Sequence, residues 1–454
     1  MFVLQSLRGV VAALAAAALI GGAALSSAPP VTLAATTIDG EAEIHRVSRA
    51  EKVHARMSLA QRVGQLFMVG TPATSVSPLT RAQVGRFHVG NVMLTGRSYS
   101  GTRRPATVAA ALQSRTTAAA TAGVELLVST DQEGGSVQAL RGRGISQMPS
   151  ALTQGSAERK RLQGSAGRWA RQLRAAGVNM NLAPVLDTVP GPDVARRNAP
   201  IGAFDRQFGF DPARVGSHGT AFVRGMAAQG VVATIKHFPG LGRVRGNTDT
   251  TAGVTDRVTH RRDAYLAPFR EAIDAGAPVV MMSTAYYPRM DRLHPAAFSR
   301  TIVHSLLRRD LGFRGVVVSD DLAHARQVSR WSHAARAVKF IRAGGDLVLT
   351  VDPGPLPAMY HGVLSRARSD ESFRTKVDQA ALRVLRLKQR QHLLGPSRSE
   401  QRHHTSTPTP TPTTPSRRRT SNQVVSQHGN VVHQLRALAQ GRIHRSTPEA
   451  PLPD

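Results

Sequence analysis

The sequence predicts an α/β protein built on a single (β/α)8 TIM barrel with a disordered C-terminal tail. Three observations favour this fold: eight short apolar segments, helical patterns between them, and polar side chains where several of those segments end. Repeated right-handed βα crossovers indicate a parallel barrel, which presents its working groups at the carboxyl ends of its strands. An open doubly wound sheet is the alternative.

The eight strand candidates are short, apolar and often rich in β-branched residues, as buried parallel strands are. They lie at residues 66–70, 88–94, 124–130, 178–187, 231–235, 279–283, 315–321 and 346–350. Helical patterns separate them, beginning with a capping-box spacing at Ser58. The later helices are expected from residue 107 onward and at 157–176, 212–229, 264–275, 301–311, 331–343 and 373–391.

The two ends of the chain differ in composition from this repeating part. Residues 1–35 resemble an export signal, with Arg8 before an apolar, alanine-rich stretch and cleavage expected after Ala28 or, preferably, Ala34. The apolar run of roughly 16 residues is shorter than the ~20 of a spanning helix. We therefore expect cleavage, a linker over 36–57, the barrel over 58–394, and a basic, Thr/Pro-rich disordered tail over 395–454.

Composition narrows the classes of function. The 454 residues carry a net charge of +30 and contain no cysteine, which excludes disulfides, thiolate metal sites and a thiol nucleophile. The charge indicates contact with polyanions such as nucleic acid, anionic lipid or envelope polymers, and we expect anionic cell-wall polymers to bind the surface and the tail, with nucleic acid as the minor alternative. Aromatic residues are only 4% of the chain, which argues against stacking on nucleic acid. No sequence signature indicates a cofactor or a metal site.

Polar residues at the ends of the predicted strands should converge on one pocket. Carboxylates beside a lysine, a histidine and an arginine suit a polyhydroxylated ligand and place an acid near a reacting carbon. The residues concerned are Asp131 after the third strand, Asn181 and Asp187 with the fourth, Lys236 and His237 after the fifth, Asp320 and Asp321 after the seventh, and Arg206.

Four motifs at these positions occur in order along the chain. They are Asp131–Gly135 (DQEGG), Asn181–Asp187 (NLAPVLD), Lys236–Gly240 (KHFPG) and Ser319–Leu322 (SDDL). Together they resemble family 3 glycoside hydrolases over residues 58–392, specifically the β-N-acetylhexosaminidase branch that trims GlcNAc derived from peptidoglycan. The resemblance implies a (β/α)8 barrel, in agreement with the strand pattern. Nothing in the chain resembles the second α/β domain of many members.

The resemblance also implies roles for individual residues. Asp320 matches the catalytic nucleophile, which would form a covalent glycosyl-enzyme and give net retention. Asp131, Arg206, Lys236 and His237 match or neighbour sugar-binding positions. The alternative for Asp320 is a helix N-cap, a role that better suits Asp321. Asn181 and Arg141 complete the expected substrate-binding set.

Two departures from the family pattern bear on mechanism. The family often has an arginine where this chain has Ala139, and Arg141 is the candidate substitute. The family's acid/base histidine and aspartate positions hold Asp249 and Asn247 here. An aspartate with a raised pKa can protonate a leaving oxygen, so we expect Asp249 to be the acid/base and Asn247 to support it. The alternatives are an acid from elsewhere or weak catalysis.

The expected function is that of a secreted, cell-wall-associated glycoside hydrolase that removes terminal non-reducing β-GlcNAc from muropeptides. It would need no cofactor, bind no nucleic acid and keep no membrane span after cleavage. The alternatives are a family 3 β-glucosidase, a glycoside phosphorylase, or a non-catalytic barrel that binds the cell wall.

Overall fold

A parallel eight-stranded barrel forms the centre of the molecule. The computed structural model describes residues 47–395. The barrel strands are β1 (Phe67–Pro72), β2 (Asn91–Thr95), β3 (Leu127–Thr130), β4 (Met180–Asn181), β5 (Val232–Phe238), β6 (Val279–Met282), β7 (Val316–Ser319) and β8 (Val348–Thr350). They pair in the order β7-β6-β5-β4-β3-β2-β1-β8, so the predicted α/β barrel is confirmed.

The barrel closes between β7 and β8 through a short contact. A single parallel bridge joins Val318 to Leu347, and the Ser319 backbone N–H donates to the Leu347 carbonyl at 2.9 Å. The Leu349 N–H donates in addition to the Ser319 hydroxyl oxygen at 2.9 Å. These bonds hold the end of β7, which precedes Asp320, in a fixed position on the barrel rim.

Helices alternate with the strands. They are α1 (Arg49–Arg56), α2 (Leu59–Gly64), α3 (Pro78–Arg86), α4 (Arg103–Gln113), α5 (Ala118–Thr121), α6 (Ala151–Gln154), α7 (Arg159–Ala175), α8 (Pro192–Ala195), α9 (Pro212–Ala227), α10 (Ala267–Asp274), α11 (His333–Ala343), α12 (Leu356–Ser369) and α13 (Glu371–Arg390). A π-helical segment covers Thr301–Asp310, where the sequence predicts a helix. Short 3₁₀ turns lie at Gly202–Phe204, Ala264–Leu266, Ala296–Phe298 and Arg326–Val328.

The core has two layers. Methionine, leucine and valine side chains such as Met68, Met180 and Met281 fill the inside of the barrel. A second and larger apolar layer, which includes Phe222 and Phe269, lies between the strands and the helices. Because both faces of the strands are buried, they read as continuous apolar runs in the sequence. This packing leaves polar side chains to collect at the strand ends.

Two predicted segments differ from the structure, and helices α3 and α12 had no predicted counterpart. Only Met180–Asn181 of the expected strand 178–187 pairs regularly, with a separate bridge from Val185 to Lys236. The expected linker over 36–57 contains helix α1, which begins in a capping box formed by Ser48 and Glu51. Its buried residues pack with α13, so the folded domain begins before Ser58.

The predicted export signal and the tail beyond Gly395 lie outside the described residues. Within 47–395, no helix has both the length and the apolar content needed to cross a membrane.

Candidate active site

A pocket of about 320 Å³ lies at the carboxyl ends of the barrel strands. It brings together most of the residues singled out in the sequence, although they come from distant segments. Its charged and imidazole lining residues are Asp131, Arg206, Lys236, His237, Asp249, Asp320, Asp321 and His324. Its apolar walls include Met93, Leu182 and Val351. A cleft with convergent polar groups at this end of a barrel is where such enzymes carry out their chemistry.

One side of the pocket is a closed network of ion pairs, which we call the binding half: Asp131, Glu133, Arg206 and Lys236. The Lys236 Nζ donates to Asp131 Oδ1 at 2.7 Å and lies 2.6 Å from Glu133 Oε1. The Arg206 guanidinium donates two bonds to the Glu133 carboxylate, at 2.7 and 2.8 Å. Glu133 and Lys236 are almost fully buried. The network therefore holds Asp131 and the two cations in one geometry.

The charges of the binding half stabilise one another. Burial opposes the ionisation of Glu133, but Arg206 and Lys236 outweigh it and lower the pKa of Glu133 to about 2. Burial likewise acts against the charge of Lys236, yet the Asp131 and Glu133 carboxylates raise its pKa above the ordinary value. Both cations are therefore charged at neutral pH and available to donate hydrogen bonds to a ligand.

His237 is fixed from behind by Asp187. The Asp187 carboxylate lies 2.7 Å from His237 Nδ1 and accepts the backbone N–H groups of His237 and Leu241 at 3.2 and 2.8 Å. Asp187 is completely buried. The Lys236–His237 peptide bond is cis. Asp187 thus orients the imidazole and the loop that follows it, and it does not line the pocket itself.

The opposite side of the pocket, which we call the chemical half, carries Asp249 and Asp320. Asp320 follows β7, its N–H donates to the Met282 carbonyl at 3.2 Å, and its carboxylate accepts the Asp321 N–H at 2.8 Å. Asp321 accepts backbone N–H groups of the next turn and of Val351. Asp321 thus closes a turn, where the sequence predicts the start of a helix, and Asp320 lines the pocket.

The loop after β5 carries Asp249 to the same side. Backbone bonds from Gln327 to the Thr248 carbonyl (3.1 Å) and from Arg326 to the Asp249 carbonyl (3.0 Å) tie this loop to the segment after Asp320. Asn247 Oδ1 accepts the Asp249 N–H at 2.9 Å and closes a turn. The side chain of Asn247 therefore contacts the backbone of Asp249 and not its carboxyl group.

Asp249 has an unusual electrostatic environment. It lies at the exposed mouth of the pocket, and the pocket walls withdraw its carboxyl group partly from water. This desolvation, followed by the negative charge of Asp320, raises the pKa of Asp249 to about 6, while the charges of His237 and Arg206 act in the opposite direction. Asp249 can hold a proton at mildly acidic pH, which a general acid requires.

Two residues expected to bind substrate lie outside the pocket lining. Asn181 is fully buried, and its amide group exchanges two hydrogen bonds with the backbone of Gln132 at 3.0 Å. Arg141 donates to the Gly135 and Gln138 carbonyls at 2.9 and 3.3 Å. Both side chains hold the segment after β3 in place instead of facing the ligand space. Sequence position alone could not show this, because both residues sit beside motif positions that do face the pocket.

Glu133 and His324 received no role from the sequence. Glu133 is two residues from Asp131 in the same motif, and this carboxylate repeat was the one local signal. His324 lines the pocket and pairs with Asp352 at 2.8 Å. Among residues 47–395, no group of three or more histidine or carboxylate side chains is arranged to hold a metal ion.

Comparison with known proteins agrees with this site. The profile described as "Glycosyl hydrolase family 3 N terminal domain" matches residues 58–387. The chain belongs to glycosyl hydrolase family 3. A "Beta-hexosaminidase" from Stenotrophomonas maltophilia (strain R551-3) is 32% identical over 325 residues, which cover 70% of this chain and 92% of that protein.

Solved structures extend the comparison. The β-N-acetylhexosaminidase of Beutenbergia cavernae DSM 12333 shares 52% identity, covers 74% of this chain and 99% of its own, and superimposes with a TM-score of 0.73. A family 3 β-N-acetylglucosaminidase from Paenibacillus sp. str. FPU-7 shares 32% identity over 75% of this chain and 64% of its own, with a TM-score of 0.67. The resemblance predicted from four sequence motifs is confirmed.

Proposed function

We propose that this family 3 enzyme is an exported, retaining β-N-acetylhexosaminidase that removes terminal non-reducing GlcNAc from peptidoglycan fragments. The observation that carries the proposal is the division of one pocket into a paired, charged half and a half with two facing carboxylates. The names of the relatives support the hexosamine specificity. The sequence pattern of residues 1–35 supports export.

In the proposed reaction, a carboxylate oxygen of Asp320 attacks the anomeric carbon as the bond to the leaving oxygen breaks. Protonated Asp249 gives its proton to that oxygen. In the second step Asp249, now ionised, takes a proton from water, and the water oxygen displaces Asp320 from the sugar. Two carboxylates in different electrostatic environments suit this exchange of roles, because one must be ionised while the other is protonated.

The binding half would hold the sugar while this chemistry proceeds. Arg206, Lys236 and His237 can donate hydrogen bonds to sugar hydroxyls, and Asp131 can accept them. Because Glu133 and Asp187 already fix the donors, little ordering remains to be done when the sugar binds. The same donors and acceptor would serve a glucoside, so sugar identity must be tested directly.

Trapping the intermediate tests the mechanism. A 5-fluoro glycosyl fluoride of GlcNAc, which keeps the acetamido group at C2, should label the enzyme once, and peptide mapping should find the label on Asp320. A label on another residue would refute the nucleophile assignment. Parallel assays with 4-nitrophenyl β-GlcNAc and β-glucoside, each with and without phosphate, distinguish a hexosaminidase from a glucosidase or a phosphorylase. Turnover that Asp320→Ala abolishes would exclude a purely wall-binding barrel.

The basic surface supports contact with anionic wall polymers. A cavity of about 480 Å³ between the π-helical segment and α13 is lined by His304, Arg308, Arg309, Phe313, Arg314, Arg383 and Arg386. Asp346 neutralises part of this charge through bonds to Arg308 and Arg383. Burial and then the surrounding arginines and Lys376 lower the pKa of His304. Guanidinium groups in a concave site suit phosphate oxygens.

A sedimentation assay with poly(glycerol phosphate)-bearing walls tests this contact. Replacing Arg309 and Arg314 by glutamine should weaken binding at low salt, whereas the same change at the exposed Arg103 and Arg104 of α4 serves as the charge-matched control. Equal weakening by both pairs would show that net charge, and not this cavity, is responsible.

A further inference from the structure

A second cavity, of about 380 Å³, opens beside the catalytic pocket. Met93, Asp131, Val137 and Val351 line both spaces, so the two are adjacent. We call this space the side cavity. Apart from Asp131, none of its lining residues takes part in the proposed reaction or in the ion pairs of the binding half.

The position of the side cavity follows from the barrel, on the basis of the proposed function. Asp131 follows β3 and Asp320 follows β7, and these strands are on opposite sides of the eight-stranded ring. The Asp249 loop is bonded to the segment after Asp320, so the leaving group departs on the β7 side. The side cavity lies beyond Asp131, next to the end of β2. It therefore faces the end of the sugar remote from the anomeric carbon.

The lining of the side cavity is mainly aliphatic. Met93, Leu94, Val137, Ala139 and Val351 supply apolar surface, and polar groups such as Thr95 and the exposed Arg97 accompany them. Among the described residues, no aromatic ring lines the cavity, so a second sugar would find no stacking platform. Aliphatic walls without aromatic rings favour an alkyl or acyl group.

The wall at Ala139 is rigid. The Ala139 N–H donates to the Asp131 carbonyl at 3.0 Å, and its carbonyl accepts the Ser98 N–H at 2.8 Å. The Leu140 N–H donates to Gln132 Oε1 at 2.9 Å. Because the backbone is held on both sides, the small side chain at this position determines how much space remains, and a larger one would fill it.

We propose that the side cavity accepts a short apolar acyl group esterified to the C6 oxygen of the terminal GlcNAc. An ester at C6 leaves the ring hydroxyls free to donate to Asp131. Ala139 is then a specificity-determining residue, since its size sets whether the acyl group fits. The enzyme would remove O-acylated GlcNAc without prior deacylation.

The test compares 4-nitrophenyl β-GlcNAc with its 6-O-acetyl and 6-O-butanoyl derivatives. For the wild type, kcat/KM on the butanoyl substrate should at least equal that on the parent. Ala139→Phe should lower the butanoyl value tenfold or more and leave the parent value within twofold, and Ala139→Leu should be intermediate. Ala119→Phe, on the exposed face of α5, is the matched control and should change neither value.

Three results would overturn the proposal. The first is rejection of the butanoyl substrate by the wild type, and the second is an equal loss of activity on both substrates in Ala139→Phe. The third uses a 4-nitrophenyl disaccharide glycoside as an additional substrate: the wild type releases nitrophenol from it in one step, and only Ala139→Phe suppresses this release. The last would assign the side cavity to a sugar ring. If the wild type hydrolyses no aryl GlcNAc, the proposed function fails instead. Calorimetry then tests the cavity alone, and 6-O-butanoyl-GlcNAc should bind more tightly than GlcNAc to the wild type but not to Ala139→Phe.

Discussion

The two halves of the pocket shift the pKa of a carboxyl group in opposite directions. In the binding half, Glu133 faces two cations, which lower its pKa to about 2. In the chemical half, Asp249 faces Asp320 at the pocket mouth, and desolvation and this like charge raise its pKa to about 6. A carboxylate surrounded by cations is permanently charged and structural, whereas one facing another carboxylate can exchange a proton near neutral pH.

The two halves also differ in how their side chains are held before a ligand binds. In the binding half, buried groups satisfy one another before any ligand arrives, with contacts of 2.6–2.8 Å. In the chemical half, backbone bonds position the chain, and the carboxylates themselves face the pocket. The binding groups are thus preorganised, and the reactive groups beside them stay available for the substrate. This arrangement favours catalysis.

The largest effect should come from Asp320→Ala. Losing the proposed nucleophile should lower kcat by a factor on the order of 10⁴ or more, because the remaining site can only bind and polarise the substrate. The measurement is steady-state hydrolysis of 4-nitrophenyl β-GlcNAc, with circular dichroism to verify folding. Asp193→Ala, at an exposed position on α8, serves as the control and should be fully active. Retention of more than a few per cent of activity in Asp320→Ala would place the nucleophile elsewhere.

Asp249→Asn tests the chemical half more selectively. A general acid contributes about 10²–10⁴-fold where the leaving group needs a proton. We therefore expect a loss of that size on GlcNAc-containing muropeptides and less than about tenfold on aryl glycosides with good leaving groups.

The pH dependence gives a second readout for Asp249. In the proposed reaction the protonated form of Asp249 is the acid, so kcat/KM of the wild type should decline as pH rises through about 6. That decline should disappear in Asp249→Asn. An unchanged alkaline limb in the variant, or equal losses on both kinds of substrate, would remove Asp249 from the acid/base role.

Glu133→Gln tests the binding half through stability. The change leaves Arg206 and Lys236 buried without their shared carboxylate, which should lower the free energy of unfolding by about 3–5 kcal/mol. The folded-state pKa of Glu133 lies below its ordinary value of 4.5, so its stabilisation is present above pH 4.5 and is lost as pH falls toward 2.

Urea unfolding at pH 7 and at pH 3 measures both consequences. The variant should lose less stability than the wild type between these two pH values. Glu371→Gln, which removes an exposed carboxylate with an ion-pair partner, should change stability by no more than about 0.5 kcal/mol. A Glu133→Gln protein as stable as the wild type would mean that the ion-pair network contributes little.

Much of the barrel could be predicted because its signals are local. Apolar runs such as 231–235 and 279–283 mark strands, and polar residues after them mark the rim. The pairing of Glu133 with Arg206 could not be predicted in this way. The two residues are 73 positions apart, and they meet because the loops that carry them follow the neighbouring strands β3 and β4.

The same limit explains Asn181 and Arg141. Both lie beside motif residues, but whether a side chain faces the pocket depends on which backbone groups lie behind it. Asn181 meets the backbone of Gln132, 49 positions away, and turns from the pocket to satisfy it. Helix α1 could not be predicted for a related reason, because much of its stability comes from packing against α13, which is far along the chain.

Asn247 holds the turn before Asp249, and replacing it should have the smallest effect on catalysis. Asn247→Ala removes the bond that closes the turn before Asp249, and a loss of about 1 kcal/mol in positioning corresponds to roughly a fivefold fall in kcat. Asn247→Asp keeps an acceptor for the same N–H but adds a negative charge, which should raise the pKa of Asp249 and move the alkaline limb upward.

The comparison of these two variants separates position from charge. If Asn247→Asp restores kcat and also shifts the alkaline limb, the loop positions Asp249 through the turn and changes its pKa through the electrostatic field. An unshifted limb in Asn247→Asp would mean that the pKa of Asp249 is determined by the pocket walls and Asp320 alone. The chemical half would then depend on its loop for geometry only, and its chemistry would be set by the barrel rim.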